Sequence, residues 1–165
     1  MCAGSSVKHP ATSEVGLAKR TVLALVSLLA ATAVSTSAQT AEAARTPSIM
    51  LPAELDRVLR DYERLWKAGD ENGLAELFTT DGFVPGRGGW VRGRAAIKER
   101  YQNSQGDLRL RALAYATQDT VGYIIGAFGF GESAATRDAG KFVLALRRPP
   151  GSKWLIAADV DSPNN

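Results

Sequence analysis

Histidine and cysteine each occur once in this 165-residue chain, as His9 and Cys2, both within its first ten residues. A chain with one of each has no Cys/His metal set and no disulfide of its own. Charge of a single sign is missing too: 20 Lys and Arg face 17 Asp and Glu, scattered along the sequence. No basic stripe offers a nucleic acid its phosphate contacts. A spanning run is also absent. The longest apolar stretch, Thr21 to Val34, has about 14 residues where a membrane helix needs roughly 20.

That stretch has another grammar. Lys19-Arg20 precede it and small residues follow it up to Ala38, the basic flank, apolar core and small-residue site of a secretory signal. Thr36-Ser-Ala38 and Ala41-Glu-Ala43 both fit the cleavage rule. The expectation is therefore a signal peptide over 1–38, cut near 38 or 43, a flexible tether over 39–50, and one domain over 51–162. An uncleaved anchor is the rival, since Ala-rich sequence continues to Ala44. Cys2 stands before the apolar core, the wrong side for a lipoprotein cysteine. Export places the domain in a periplasm or outside the cell, with no membrane attachment after cleavage. It also discards His9 and Cys2. Cleavage at 38 removes Lys8, Lys19, Arg20 and Glu14, leaving 17 basic and 16 acidic residues and a net charge of about +1. Some 127 residues suffice for a single core.

The mature chain opens with Pro52 at a position where a first helical turn tolerates it. Leu55, Val58, Leu59, Tyr62, Leu65 and Trp66 then recur at three- and four-residue spacing, one face of a helix. Gly69 can end it and Asp70 can cap the next, a shorter helix with Leu74, Leu77 and Phe78 inward, stopped by Thr80-Asp81-Gly82. Two short extended pieces flank the Gly86–Gly89 turn, and a third helix starts at Arg94. After Gly106 the period becomes two. Strands are expected around 108–115, 121–130, 141–147 and 153–159. Three helices followed by four hairpin-linked strands make an α+β layout, with the helices on one side of a strongly curved antiparallel sheet. Gly122, Gly126, Gly129 and Gly131 within one strand region mark bends. Gly126-Ala-Phe-Gly-Phe-Gly131 opens no helix, so it lacks the mechanism of a phosphate loop.

Several segments together resemble a known family: Trp66-Lys-Ala-Gly-Asp70, Leu74-Ala-Glu-Leu-Phe78-Thr-Thr-Asp81-Gly-Phe83, Pro85-Gly86, Gly93-Arg94-Ala-Ala-Ile97, Gly140 to Arg147 and Gly151 to Asp159. Residues 52–162 are similar to the SnoaL-like, ketosteroid-isomerase-like domains of the nuclear-transport-factor-like superfamily. The resemblance implies a cone-shaped α+β roll, a pocket between helices and sheet, and frequent dimerisation through the sheet. It implies no single activity, because the family includes isomerases, dehydratases, cyclases, binding proteins and domains without known chemistry. No cofactor and no metal site is expected.

In the catalytic relatives a pocket aspartate or histidine moves a proton beside a carbonyl while a tyrosine or protonated acid steadies the oxyanion. With no imidazole, the candidates here are Asp159 as base and Tyr62 or Tyr101 as donor. Asp159 matches an acidic position that often ends the last strand in the family; a strand-end acid in a surface ion pair is the plain alternative. By strict alternation Asp159 and Asp161 share one face, and Trp154, Ile156, Ala158 and Val160 the other. Large amphipathic rings line such concavities, which makes Tyr62, Trp66, Phe83, Trp90 and Tyr101, with Asp159, the expected ligand-binding set. Three functions compete: a binding module for a small hydrophobic molecule, a cofactor-independent isomerase, dehydratase or cyclase, and a non-catalytic homodimerisation domain. Binding ranks first unless Asp159 lies in an apolar pocket within reach of a tyrosine hydroxyl, which puts the enzyme first.

Overall fold

A computed structural model describes residues 45–164. The expected signal peptide, both expected cleavage sites and residues 39–44 of the expected tether lie outside the described residues.

Helix α1 (Ala53–Ala68) forms where the apolar spacing requires it. Leu55, Val58, Leu59, Tyr62 and Leu65 are buried along one face, and Glu54 and Asp56 occupy the first turn, where the helix dipole favours negative charge. Gly69 ends it at φ 64°, in the left-handed region that glycine enters without penalty, and its N–H donates back into the last turn. Asp70 accepts from the Gly73 N–H at 2.8 Å and so caps α2 (Glu71–Glu76). The third helix, α3, runs Arg94–Arg100.

The stop assigned to Thr80-Asp81-Gly82 falls in the wrong place. Helix α2 ends at Glu76, and Phe78 already begins strand β1 (Phe78–Gly86). Phe78 pairs with Ile156, and both are fully buried; Thr79 and Thr80 favour the extended backbone. The three predicted stop residues instead occupy the irregular stretch where the register against the last strand shifts between Phe78 and Phe83.

Strands β2 (Gly89–Arg92), β3 (Leu108–Gln118), β4 (Val121–Phe130), β5 (Gly140–Arg147) and β6 (Leu155–Pro163) complete one sheet in the order β2-β1-β6-β5-β4-β3. Neighbours are antiparallel except β1 and β6, which run parallel. A short 3-10 turn, Gly131–Ala135, follows β4; no sequence signal suggested it. The three helices and the curled sheet are the α+β roll expected from the chain.

The curl has visible causes. Leu113 is an extra residue in β3 between the pairs Ala112–Gly126 and Ala114–Ile125. Ala157 is one in β6 between Leu146–Ile156 and Ala145–Ala158. Such bulges bend the strand and raise its twist. Gly126 pairs with Phe142 and Gly140 with Phe128, and a Cβ on either glycine would run into the ring opposite.

The Ala157 bulge also corrects the face assignment. Strict alternation put Ile156 opposite to Asp159, yet Ile156 pairs with Leu146 and Asp159 with Leu144, and all four are buried. One extra residue brings Ile156 and Asp159 to the same inner face.

Before α1, residues 45–49 lie along β3. The Ile49 N–H donates to Ala112 O at 3.0 Å, and Arg111 donates to Thr46 O at 2.6 Å. Asp138 accepts from both Arg45 and Arg111, tying this segment to the end of the 3-10 turn.

Candidate functional site

Between α1, α3 and the inner face of the sheet lies a cavity of about 120 Å³. Its floor and walls are apolar: Leu110 of β3, Phe128 of β4, and Phe142 and Leu144 of β5. Arg100, Phe130 and Asp161 also line it and are themselves exposed, which marks the mouth. An apolar cavity of about 150 Å³ accommodates one benzene ring, so this cavity is on the scale of a single ring at most.

Three aromatic side chains close the helical side. Tyr62 and Trp66 stand one turn apart on α1, the spacing that brings side chains into contact, with ring centroids 6.2 Å apart at 18°. Tyr101, at the end of α3, meets both edge-on, at 6.3 Å from Tyr62 and 6.0 Å from Trp66. The amphipathic face of α1 aims the first two, and α3 delivers the third at the residue that follows its last turn.

Asp159 is 7 % exposed and faces this cavity. Its Oδ2 is 3.1 Å from Tyr62 Oη, which is in turn 2.9 Å from Tyr101 Oη. Its Oδ1 is buried without a partner among the described residues, as is Trp66 Nε1. Among the described residues no cation pairs with the carboxylate. Burial therefore pushes its pKa up to about 7, helped by the nearby charge of Asp161, and opposed by the hydrogen bond from Tyr62. The phenols respond in the same direction. Burial first, then the neighbouring Tyr101 and the Asp159 carboxylate, hold Tyr62 well above the usual tyrosine range. Tyr101 is raised by burial and by Asp159. Both remain protonated wherever Asp159 titrates.

A hydroxyl has a single hydrogen. When Asp159 is charged, the Tyr62 hydrogen is best used on Oδ2, because a bond to an ionised acceptor is the stronger one. Tyr101 is then free to donate to Tyr62 Oη or to a guest. The arrangement thus presents an ionisable carboxylate with one unpartnered oxygen, a neutral phenol donor beside it, and an apolar wall. Such a set can abstract a proton from carbon and steady the oxygen on which charge develops.

Of the six residues expected to bind a ligand, Tyr62, Trp66, Tyr101 and Asp159 meet at the cavity. Phe83 and Trp90 do not, and their assignment is corrected here. Val84 between them in the hairpin is buried and lines the cavity, so Phe83 faces the other way by alternation. Phe83 stacks edge-on against Trp90 at 6.1 Å with Arg92 over its ring, and Trp90 is 61 % exposed. The residues missed are the sheet's contribution, Leu108, Leu110, Phe128, Phe130, Phe142 and Leu144 with Val84, Pro85 and Asp161, and Arg100 at the mouth. The alternation of Leu108 and Leu110 was a usable signal for the first two. Among the described residues no three His, Cys, Asp or Glu side chains gather as a metal site would require, and no helix is long and apolar enough to cross a membrane.

No protein-family model matches the chain, and no curated protein does. Solved structures match its fold. A ketosteroid isomerase-like protein from Erwinia carotovora atroseptica is 17 % identical, with TM-score 0.56 over 68 % of this chain and 95 % of that one. An NTF-2 like protein of unknown function from Shewanella oneidensis is 17 % identical, with TM-score 0.55 over 66 % of this chain and 96 % of that one. A putative calcium/calmodulin dependent protein kinase II association domain from Xanthomonas campestris is 16 % identical, with TM-score 0.56 over 72 % of this chain and 95 % of that one. At these identities the likeness is one of fold.

Proposed function

Starting from an NTF2-like, cystatin-like fold, we propose that this domain is a cofactor-independent enzyme of the isomerase, dehydratase or cyclase type, acting on a small, largely apolar carbonyl compound. Asp159 is the general base and Tyr101 the donor to the substrate oxygen, with Tyr62 holding the carboxylate in place. One observation carries the proposal: a buried carboxylate in an apolar cavity, 3.1 Å from a tyrosine hydroxyl. Its pKa of about 7 lies where a base is both ionised and basic at neutral pH, and positioned acid–base groups contribute about 10²–10⁴-fold. The Tyr62 bond to Oδ2 leaves the unpartnered Oδ1 to receive the proton, and the hydroxyl of Tyr101 stabilises the enolate as it forms.

The test is exchange of the α-protons of cyclohexanone in D2O, followed by NMR between pH 5 and 9. Exchange rising with pH to a plateau, and abolished in Asp159→Asn, supports the proposal. Binding without exchange leaves the binding-module reading. Absence of binding leaves the dimerisation reading.

Two further proposals accompany it. The domain is exported through its N-terminal signal, testable by the mass of the mature N-terminus. It also pairs with a second copy through the outer face of the sheet, where Ile125, Val143 and Val160 form one cross-strand row and are all exposed, beside Tyr123. An exposed apolar row of this kind supports that reading.

A further inference from the structure

Phe83 and Trp90, the aromatics that the cavity does not use, stand on the β1–β2 hairpin beside an excess of positive charge. Charge is balanced over the whole chain, yet Phe83 to Tyr101 holds five basic residues and one acidic, Glu99. Strand pairing shows how they are arranged. Gly86 faces Gly89 across the turn, with Arg87 exposed at its tip. One step in, Pro85 faces Trp90, which is 61 % exposed. The Pro85 carbonyl accepts from Arg100 Nε at 3.3 Å, so the end of α3 is held against the hairpin. Two steps further, Phe83 faces Arg92, whose guanidinium lies 5.3 Å from the Phe83 ring centre. Arg94 pairs with Glu76 and Arg147 with Asp81. Among the described residues, Arg87, Arg92 and Arg100 pair with no carboxylate. The opposing charges are Glu99 and, at the cavity mouth, Asp161.

Exposed arginines around a large amphipathic ring suit an anionic interface, where tryptophan settles at headgroup level and arginine pairs with phosphate. The geometry favours lipid over other anionic partners. A nucleic acid is held by many phosphate contacts, and the unpaired arginines here are few. A peptide is held in a groove or along a sheet edge, and the edge that β2 offers is four residues long. The tip instead projects: a Cβ on Gly88 or Gly89 would meet nothing within 4 Å, the shape that enters a yielding surface. Pro85 and Arg100 also line the cavity mouth, so docking by the tip sets that mouth beside the phase in which apolar molecules concentrate.

We infer that the tip of the β1–β2 hairpin is a peripheral docking site for anionic lipid, with Trp90 entering the headgroup layer and Arg87, Arg92 and Arg100 pairing with lipid phosphates. The contact replaces the unattached state expected after cleavage from the sequence alone. The hairpin is at the β2 edge of the sheet, apart from the row on β4, β5 and β6 proposed to pair two copies. The inference goes beyond the chemistry proposed at Asp159 and does not depend on it.

The test mixes the protein with vesicles of phosphatidylcholine, with or without phosphatidylglycerol as the anionic component, brominated on their acyl chains. Quenching of tryptophan fluorescence is read at Trp90, with Trp90→Phe giving the background from Trp66 and Trp154. Anionic vesicles should quench Trp90 and neutral ones should not. The effect should fade between about 0.1 M and about 1 M salt, as the screening length shrinks from about 10 Å to about 3 Å. Arg87→Gln and Arg92→Gln should each weaken binding about fivefold, the worth of one cation near such a surface. Arg109→Gln, on the opposite edge strand β3, should leave it unchanged. An unquenched Trp90, or equal quenching by both vesicles, overturns the inference. So does a loss in Arg109→Gln equal to that in Arg87→Gln, the mark of overall charge. Tighter binding to an oligonucleotide or to polyglutamate than to anionic vesicles overturns it in favour of that partner. Exchange of α-protons is read separately, so either proposal can fail while the other stands.

Discussion

Replacing Asp159 by Asn should stabilise the protein, and the gain should depend on pH in a defined way. The folded carboxyl has a pKa near 7 against 3.8 for the free group, chiefly because burial penalises the charge. Below about pH 3.8 it is neutral in both states and contributes no difference. Between there and 7 the unfolded chain has released a proton that the fold retains, so stability falls as pH rises. Above 7 both states are charged and the loss is complete. A shift of about three pKa units at about 1.4 kcal/mol each amounts to roughly 4 kcal/mol, a large share of the 5–15 kcal/mol typical of a domain. Asn is nearly isosteric, never ionises, and can accept from Tyr62 through its amide oxygen. Asp159→Asn should therefore match the natural protein near pH 4 and exceed it by about 4 kcal/mol at pH 8. Urea unfolding of both proteins at half-unit steps from pH 4 to 8.5 measures this. A difference that stays flat across the range, or a variant less stable at pH 8, would refute a buried, unpaired carboxylate at this position.

Other perturbations follow from the same contacts. Tyr62→Phe leaves Asp159 Oδ2 without its donor and should cost about 1–3 kcal/mol at pH 8 and less at pH 5; urea unfolding at the two pH values checks it. Because the Tyr62 bond holds the Asp159 pKa down, the same variant should also move the acid limb of the α-proton exchange profile to higher pH. Gly126→Ala places a methyl against the Phe142 ring and Arg111 O, costing about 1–3 kcal/mol by overpacking and pushing Phe142 towards the cavity, read as weaker toluene binding by calorimetry. Val143→Lys puts a charge in the middle of the exposed outer row. It should convert a dimer to a monomer in sedimentation at micromolar concentration, with a change of no more than about 0.5 kcal/mol in monomer stability.

The accuracy of the sequence reading follows the range of the interaction that decides each feature. The length of α1 was legible because five buried positions recur at helical spacing and Gly69 ends the helix by its own conformational freedom. Asp70 was legible as a cap because the bond to Gly73 closes within four residues. The end of α2 was misplaced because Phe78 and Thr79 answer to Ile156, a partner far along the chain, which overrides the local turn residues. Phe83 and Trp90 were assigned to the cavity because aromatic character indicates burial but not which side of the sheet, and one step of alternation reverses the outcome.

What the sequence determined by itself was local: three amphipathic helices, the Gly69 end of the first and the Asp70 cap of the second, the period-two strands, and the exclusion of imidazole and thiol chemistry from any domain lacking residues 1–38. With its single histidine and cysteine both in residues 1–38, acid–base chemistry in that domain falls to carboxylates, phenols and amines. Only the tertiary structure decided which carboxylate has the means. Tyr62 reaches Tyr101 across 39 positions and Asp159 across 97, and Asp159 shares the inner face with Ile156 only because Ala157 bulges out of register. Burial, and with it the raised pKa, arises when those distant segments close around the same cavity. Desolvation belongs to the assembled surroundings of a side chain and cannot be read from its neighbours in sequence.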